Sequence, residues 1–269
     1  SVTAADGSAS FEFEIPHDHP LGLVNVTFVF NGSGDLNPAV QILNTITVRS
    51  PVSMLIDPIQ ANPLPGEPFN VTGSLTSSNG TGLSDTNGNP LNPTLIFLID
   101  GESANFTLPS VVFNSDGTWS AQIRLDLSFP RGPHGIDISF TPQVTYFSSA
   151  SAFTTFNSRG YTVLTIESPD DLDPDNRTTR GDTFDMSLSI IDNSGSPVSS
   201  ATVVVEVDNI TVWGGLTDSN GTASPSILVR PDRDPGPMRV TATFSGISGP
   251  TGLLGDETWT RVVVLAPTQ

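Results

Sequence analysis

The chain contains no cysteine and no lysine. Without thiols it can form no disulfide, no thiolate metal site and no cysteine nucleophile. All 10 basic residues are therefore arginine, which rules out a lysine–asparagine isopeptide crosslink. No apolar run approaches the ~20 residues of a membrane-spanning helix, and no stretch repeats its apolar residues at helical spacing. Histidine is nearly absent as well: His17, His19 and His134 are the only three, and no Ser/His/Asp or paired-carboxylate site can be argued from their spacing. Against those 10 arginines stand 28 Asp and Glu, giving a formal net charge of -18 and a pI near 4.1. Such a balance argues against nucleic acid or an anionic membrane surface as partner.

What the chain does have is 24 Gly, 23 Pro and an abundance of Val, Thr, Ser and Ile, the composition of short strands joined by turns. An all-β protein is expected. One stretch recurs: Thr217–Ser224 (TDSNGTAS) matches Thr3–Ser10 (TAADGSAS) and, more loosely, Asn114–Ser120 (NSDGTWS). Each is a polar turn running into a strand, with Asp-Gly or Asn-Gly at the tip to supply positive φ. The equivalent positions Asp6, Asp116 and Asn220 recur at spacings near the roughly 100 residues of an immunoglobulin-type sandwich. The expected fold class is tandem immunoglobulin-like Greek-key β-sandwiches, one half domain followed by two complete domains.

After each turn come three runs of strand character. They are Ser10–Ile15, Leu23–Phe30 and Asn44–Val48 in the first copy. In the second they are Trp119–Leu125, Ile136–Phe140 and Ser151–Phe156, and in the third Ser224–Val229, Met238–Phe244 and Glu257–Leu265. Only the second and third copies carry a front half, Val52–Val112 and Tyr161–Leu216, where Gly66-Glu67-x-Phe69 and Gly181-Asp182-x-Phe184 occupy the same place. The expected domains are 1–50 (the C-terminal half of a sandwich), 51–159 and 160–269. This reading places Ser1 inside a domain, so the first copy is expected either to belong to a longer repeat protein or to be completed by strands of another molecule. Joints of one or two residues predict a semi-rigid rod. Phe69, Phe97, Ile123, Ile138, Phe184, Val203, Val205, Ile227, Val240 and Phe244 are the expected core.

Gly195–Asn209 (GSPVSSATVVVEVDN), Gly215–Val229 (GLTDSNGTASPSILV) and Pro235–Gly246 (PGPMRVTATFSG) resemble the bacterial and archaeal immunoglobulin-like repeats of invasin- and intimin-type cell-surface proteins. The resemblance covers the third copy, the turn and final strands of the second, and the first only as a half. It implies a Greek-key sandwich used as spacer, stalk or adhesive module at the cell surface. The second copy departs from it through the insertion Ser77–Pro93.

Five groups of residues come under consideration as sites. Asp171, Asp173 and Asp175, with Asp170 and Asn176 in the same loop, supply hard oxygen ligands of the kind Ca²⁺ takes; the competing reading is a solvated acidic loop, because Pro174 interrupts the set and no EF-hand glycine is present. Asp85–Asn89 offers a similar set inside ordinary Asn-Gly turn chemistry. His17, Asp18 and His19 resemble a metal pair between Pro16 and Pro20, though a loop fits them better. Arg180-Gly181-Asp182 reads as the start of a strand rather than as a recognition tripeptide. The strongest signal lies in eight Asn-x-Ser/Thr sequons, at Asn25, Asn31, Asn70, Asn79, Asn105, Asn176, Asn209 and Asn220, seven of them with Thr at the third position. N-linked glycosylation of a secreted or surface protein is expected, against the alternative that strands and NGT turns produce such triplets by themselves. The expected function is a non-catalytic structural or adhesive segment of an extracellular glycoprotein (surface layer, stalk or filament), with neighbouring immunoglobulin-like domains or copies of itself as partners. The alternatives are spacer domains of a large extracellular enzyme and a carbohydrate-binding module displaying aromatic residues on one face.

Overall fold

The computed structural model describes all residues except 1–7, 9, 17–18, 33, 35–36, 86, 109, 168–175 and 267–269, and the side chains of 41–44. Among the described residues there is no helix. Twenty strands run through them. The first copy holds β1 (Gly22–Phe30) and β2 (Ala39–Val48). In the second, β3 (Val52–Ile56), β4 (Pro68–Ser77), β5 (Leu95–Ile99), β6 (Phe106–Thr107), β7 (Val111–Phe113), β8 (Thr118–Leu125), β9 (Gly132–Phe140) and β10 (Ala150–Ser158) follow. The third contains β11 (Thr162–Glu167), β12 (Arg177–Thr179), β13 (Thr183–Asp185), β14 (Ser187–Asp192), β15 (Thr202–Val207) and β16 (Ile210–Leu216). It continues through β17 (Thr222–Ala223), β18 (Ser226–Leu228), β19 (Gly236–Ile247) and β20 (Leu253–Leu265).

The second copy pairs β3-β4-β8 with β6 and β7 in one sheet and β10-β9-β5 in the other. With β6 and β7 both pairing with β8 and together taking the place of one edge strand, this is the constant-type immunoglobulin arrangement of four strand positions over three. In the third, β11-β14-β17 and β13-β18 face the five-stranded sheet β12-β20-β19-β15-β16. Strict alternation builds both cores: β8 reads exposed and buried in turn from Thr118 to Leu125, as does β9 over most of its length. All ten expected core residues are buried. They fall into two separate apolar clusters, one spanning Met54 to Phe156 and the other Leu164 to Val264. Trp119 lies across Gly73, whose absent Cβ would meet the indole at 2.6 Å and the carbonyl of Leu55 at 2.1 Å. The two residues form one packing unit of the second core.

The first copy differs from expectation. β1 and β2 form a two-stranded antiparallel hairpin with a register break at Asn25/Val26. Ser10–Ile15, expected as a third strand, pairs with nothing in a sheet, and Phe11 and Phe13 are more than half exposed. Alternation alone does not make a strand when no neighbour accepts its hydrogen bonds; the one ring contact from this segment is Phe11 against Phe28, with centroids 5.0 Å apart. Ser224–Val229 also departs from a single strand. Pro225 has no N–H for the ladder, and only Ser226–Leu228 of the run is strand, as β18 paired with β13; the residues just before the run form β17, which pairs with β14 in another sheet.

Candidate functional site

The turn carboxylates that composition offers as ligands are already committed to the backbone. Asp85 accepts the N–H groups of Asn87 and Asn89 at 2.8 Å and the Asn89 side-chain amide at 2.9 Å. Asp116 accepts the N–H and hydroxyl of Thr118, Asp218 the N–H groups of Asn220 and Thr222, and Asp192 those of Ser194 and Ser196. These bonds hold three carboxyls below the usual aspartate range: Asp85 chiefly through the Asn89 side chain, Asp116 and Asp218 chiefly through the N–H groups of Thr118 and Thr222. Asp171, Asp173 and Asp175, with His17 and Asp18, lie outside the described residues. Among the described ones no group of three or more His, Asp or Glu could hold a metal ion. Gly181 takes φ +84° and donates to the Val229 carbonyl, as Gly66 with φ +80° donates to Leu125. Arg180-Gly181-Asp182 is thus a strand-joining turn repeated in both copies.

Sheet register brings together a trio the sequence conceals. His134 on β9 places Nδ1 2.6 Å from Asp100 Oδ2 and Nε2 3.0 Å from Ser158 Oγ on β10. That is the order of contacts in a serine hydrolase. Ser158, however, is wholly buried, and its hydroxyl donates to the Pro130 carbonyl at 2.7 Å. No substrate reaches the oxygen, and its proton is directed away from the imidazole. The third copy exposes the real origin of the arrangement. Asp100 (φ 51°) and Asp208 (φ 46°) occupy the same hairpin turn, and each accepts a cross-strand backbone N–H, from Gly135 at 2.8 Å and from Arg239 at 3.1 Å. Where the second copy has His134 and Ser158, the third has Met238 and Val264, at the same distances from the strand-opening glycines Gly132 and Gly236. The aspartate belongs to the fold, and the His and Ser are one copy's polar filling of a site that is apolar in the other. Burial pushes the Asp100 carboxyl up, but hydrogen bonds from His134 and the Gly135 N–H outweigh it and hold the group below its ordinary value.

This polar filling supports the loop that meets the third copy. The His134 ring packs on Phe129 with centroids 4.5 Å apart, and its Nε2 is 2.9 Å from the Pro130 carbonyl. The next carbonyls along that loop receive Asn193, whose Nδ2 donates to Phe129 at 2.6 Å and Leu127 at 3.2 Å while its Oδ1 accepts the Tyr161 N–H. Arg131 reaches across to Asp192 at 3.7 Å and to the Thr251 carbonyl at 3.3 Å. Gly160 completes the joint: its N–H donates to Gly252 and its carbonyl accepts Leu254, so the linker runs as a parallel bridge beside β20. The joint before β3 follows the same plan. Ser50 bridges in parallel to Phe147, Ser50 Oγ and Ser78 are hydrogen-bonded, and Leu21, at the position of Arg131, packs against the second core. Three residues separate the strands at each joint, Arg49–Pro51 and Arg159–Tyr161.

The sequons lie mostly on the surface. Asn25, Asn31, Asn70, Asn79, Asn105, Asn209 and Asn220 are exposed, whereas Asn176 is half-buried and its Thr178 is buried in β12. Asn79 Oδ1 accepts the N–H and hydroxyl of Thr81. The exposed aromatic residues among the described ones are Phe11, Phe13 and Phe30 in the first copy and Phe153 and Trp259, 63% and 59% exposed, which occupy the same place on β10 and β20; Trp259 carries the Arg239 guanidinium 5.1 Å from its ring centroid.

No protein-family model matches the sequence, and no curated protein matches it significantly. Among solved structures the chain is similar to a 1.5-MDa bacterial ice-binding adhesin, at 15% identity over 82% of this chain and 66% of that one, with a TM-score of 0.34. It is also similar to a Ca²⁺-stabilised adhesin of an Antarctic bacterium, at 13% identity over 91% and 56%, with a TM-score of 0.34. A third likeness is to domains 5–6 of the S-layer protein SbsC, at 13% identity over 80% and 98%, with a TM-score of 0.26. The chain thus spans less than two thirds of the length of the first two.

Proposed function

We propose that the chain is a non-catalytic structural or adhesive segment of a secreted or cell-surface glycoprotein, in which immunoglobulin-like units of the invasin and intimin kind supply length and spacing. The repeated joint carries the reading. Two successive junctions use the same linker length and the same parallel bridge from the linker to the following unit. A polypeptide that reproduces its joints as well as its units is organised for end-to-end extension. Among the described residues, the constellation with catalytic geometry, Asp100, His134 and Ser158, has its serine sealed inside a core. N-linked glycans on the exposed sequons would coat such a rod, and its acidity would keep it apart from anionic surfaces. The Ca²⁺ reading of Asp171, Asp173 and Asp175 remains a proposal, tested by calorimetric titration of the chain against Asp173→Ala: a saturable signal lost in the variant supports it, and no signal at millimolar Ca²⁺ overturns it. Gold-conjugated antibody against the chain tests location on intact cells of the native source. Surface labelling without permeabilisation is expected, and labelling confined to permeabilised cells would refute the reading.

A further inference from the structure

β5 ends its sheet. It pairs with β9 on one side, and among the described residues no strand pairs with it on the other. In the third copy the equivalent strand, β15, is covered on that side by the seven residues of β16. The second copy has no counterpart of β16, because after Gly101 the chain crosses to the other sheet and forms β6. Nothing protects the open edge by charge: Leu95–Ile99 reads LIFLI, and the chain has no lysine to place there.

The edge is short, and its free groups are defined. Ile99 exchanges both of its backbone hydrogen bonds with Glu102 at 2.9 Å, on the side away from β9, while the N–H of Asp100 turns back to Gly135. Backbone direction alternates along an antiparallel strand. Leu95 and Phe97 therefore point the same way as Ile99, outward, and Ile96 and Leu98 point toward β9. The open edge consists of two donor and acceptor pairs, at Leu95 and Phe97, flanking Ile96, which is 50% exposed.

We propose that this edge pairs with the same edge of a second copy of the chain, antiparallel about a two-fold axis through Ile96. Leu95 then exchanges both hydrogen bonds with Phe97 of the second copy, and Phe97 with its Leu95, so every free group on each edge is satisfied. Ile96 meets its counterpart at a non-hydrogen-bonded position, where Cα atoms approach to about 4.5 Å, forming an apolar cross-strand pair. Pairing stops after Phe97, because Ile99 is already occupied by Glu102 and the residue that would stand opposite it, Pro93, has no N–H. The two three-stranded sheets become one continuous sheet of six, joining two rods side by side. An interface this small falls well below the ~1,200 Å² of stable complexes, so the dissociation constant expected in free solution is about 0.1–1 mM. Copies tethered close together on a surface would associate through their raised effective concentration.

Sedimentation velocity of the chain from about 10 μM to 1 mM at physiological salt, read beside hydrogen exchange at the same concentrations, tests the proposal. The expected result is a monomer–dimer equilibrium in which the Phe97 and Leu95 amides gain protection as the dimer forms. Ile96→Lys, a change at an exposed position, should raise the dissociation constant at least tenfold. Leu55→Lys, at a position 62% exposed on another sheet, should leave it unchanged. A chain that stays monomeric throughout, association that survives Ile96→Lys, or protection that rises elsewhere and not at Leu95 and Phe97 would overturn the proposal.

Discussion

His134, Asp100 and Ser158 show how a catalytic geometry arises from packing. The third copy solves the same site with Met238 and Val264, and this supplies a direct experiment. His134→Met combined with Ser158→Val should fold with stability within about 1 kcal/mol of the parent, because both hydrogen-bonding partners are replaced together by groups the same backbone already accommodates. His134→Ala alone should cost about 2–4 kcal/mol in urea denaturation, since it opens a cavity between Phe129 and Phe156 and leaves the buried Ser158 hydroxyl without its imidazole partner. A double variant as damaged as the single one would show that the trio has a role the third copy does not share. Acid should act through the turn aspartates. Asp85, Asp100, Asp116 and Asp218 all have folded-state values below the ordinary carboxylate range. Their contribution is therefore complete above the unfolded value and is lost as pH falls through the depressed folded values. Thermal unfolding followed from pH 6 downward should give a Tm that is flat at first and falls below about pH 4, with the fall reduced in Asp100→Asn.

At the level of elements, Gly73 on β4 lies beneath the Trp119 ring, and Gly73→Ala should cost about 2–3 kcal/mol through overpacking, whereas Gly80→Ala, in open space but at φ +77°, should cost less. Chemical denaturation of the two variants measures both; equal losses would mean that β4 and β8 move apart freely. The strands themselves were readable because alternation reports burial directly: Phe69, Ile123, Ile138 and Val240 sit inside as their period of two requires. Ser10–Ile15 misled for a physical reason. Its alternation is as regular as that of β8, but pairing depends on a neighbour at hydrogen-bonding distance, which a local pattern does not encode. The same limit hid the His134 trio. Asp100, His134 and Ser158 are separated by whole strands, and only the register of β5 and β10 against β9 brings them together. Asn193 was invisible likewise, since nothing in Asn193-Ser194-Gly195 distinguishes a turn from a turn that also grips the preceding unit.

At the scale of the whole molecule, the account rests on the joints. Asn193 is hydrogen-bonded to two carbonyls of the preceding unit, Arg131 reaches Asp192 and Thr251, and Gly160 is threaded beside β20, so the second and third sandwiches are expected to move as one stiff body. Asn193→Ala together with Arg131→Ala should leave each core intact while releasing that joint. The predicted readout is an unchanged unfolding transition for the buried Trp119 and a broader range of interdomain distances in solution. Small-angle X-ray scattering of the parent chain and this double variant tests the central claim most directly. The account predicts that the parent scatters as a rod with the cross-section of a single sandwich, and that its distance distribution is fitted by one conformation whether salt is low or high. The variant should require an ensemble of bent forms. A parent chain that scatters as a compact globule, or that needs the same bent ensemble as the variant, would contradict it.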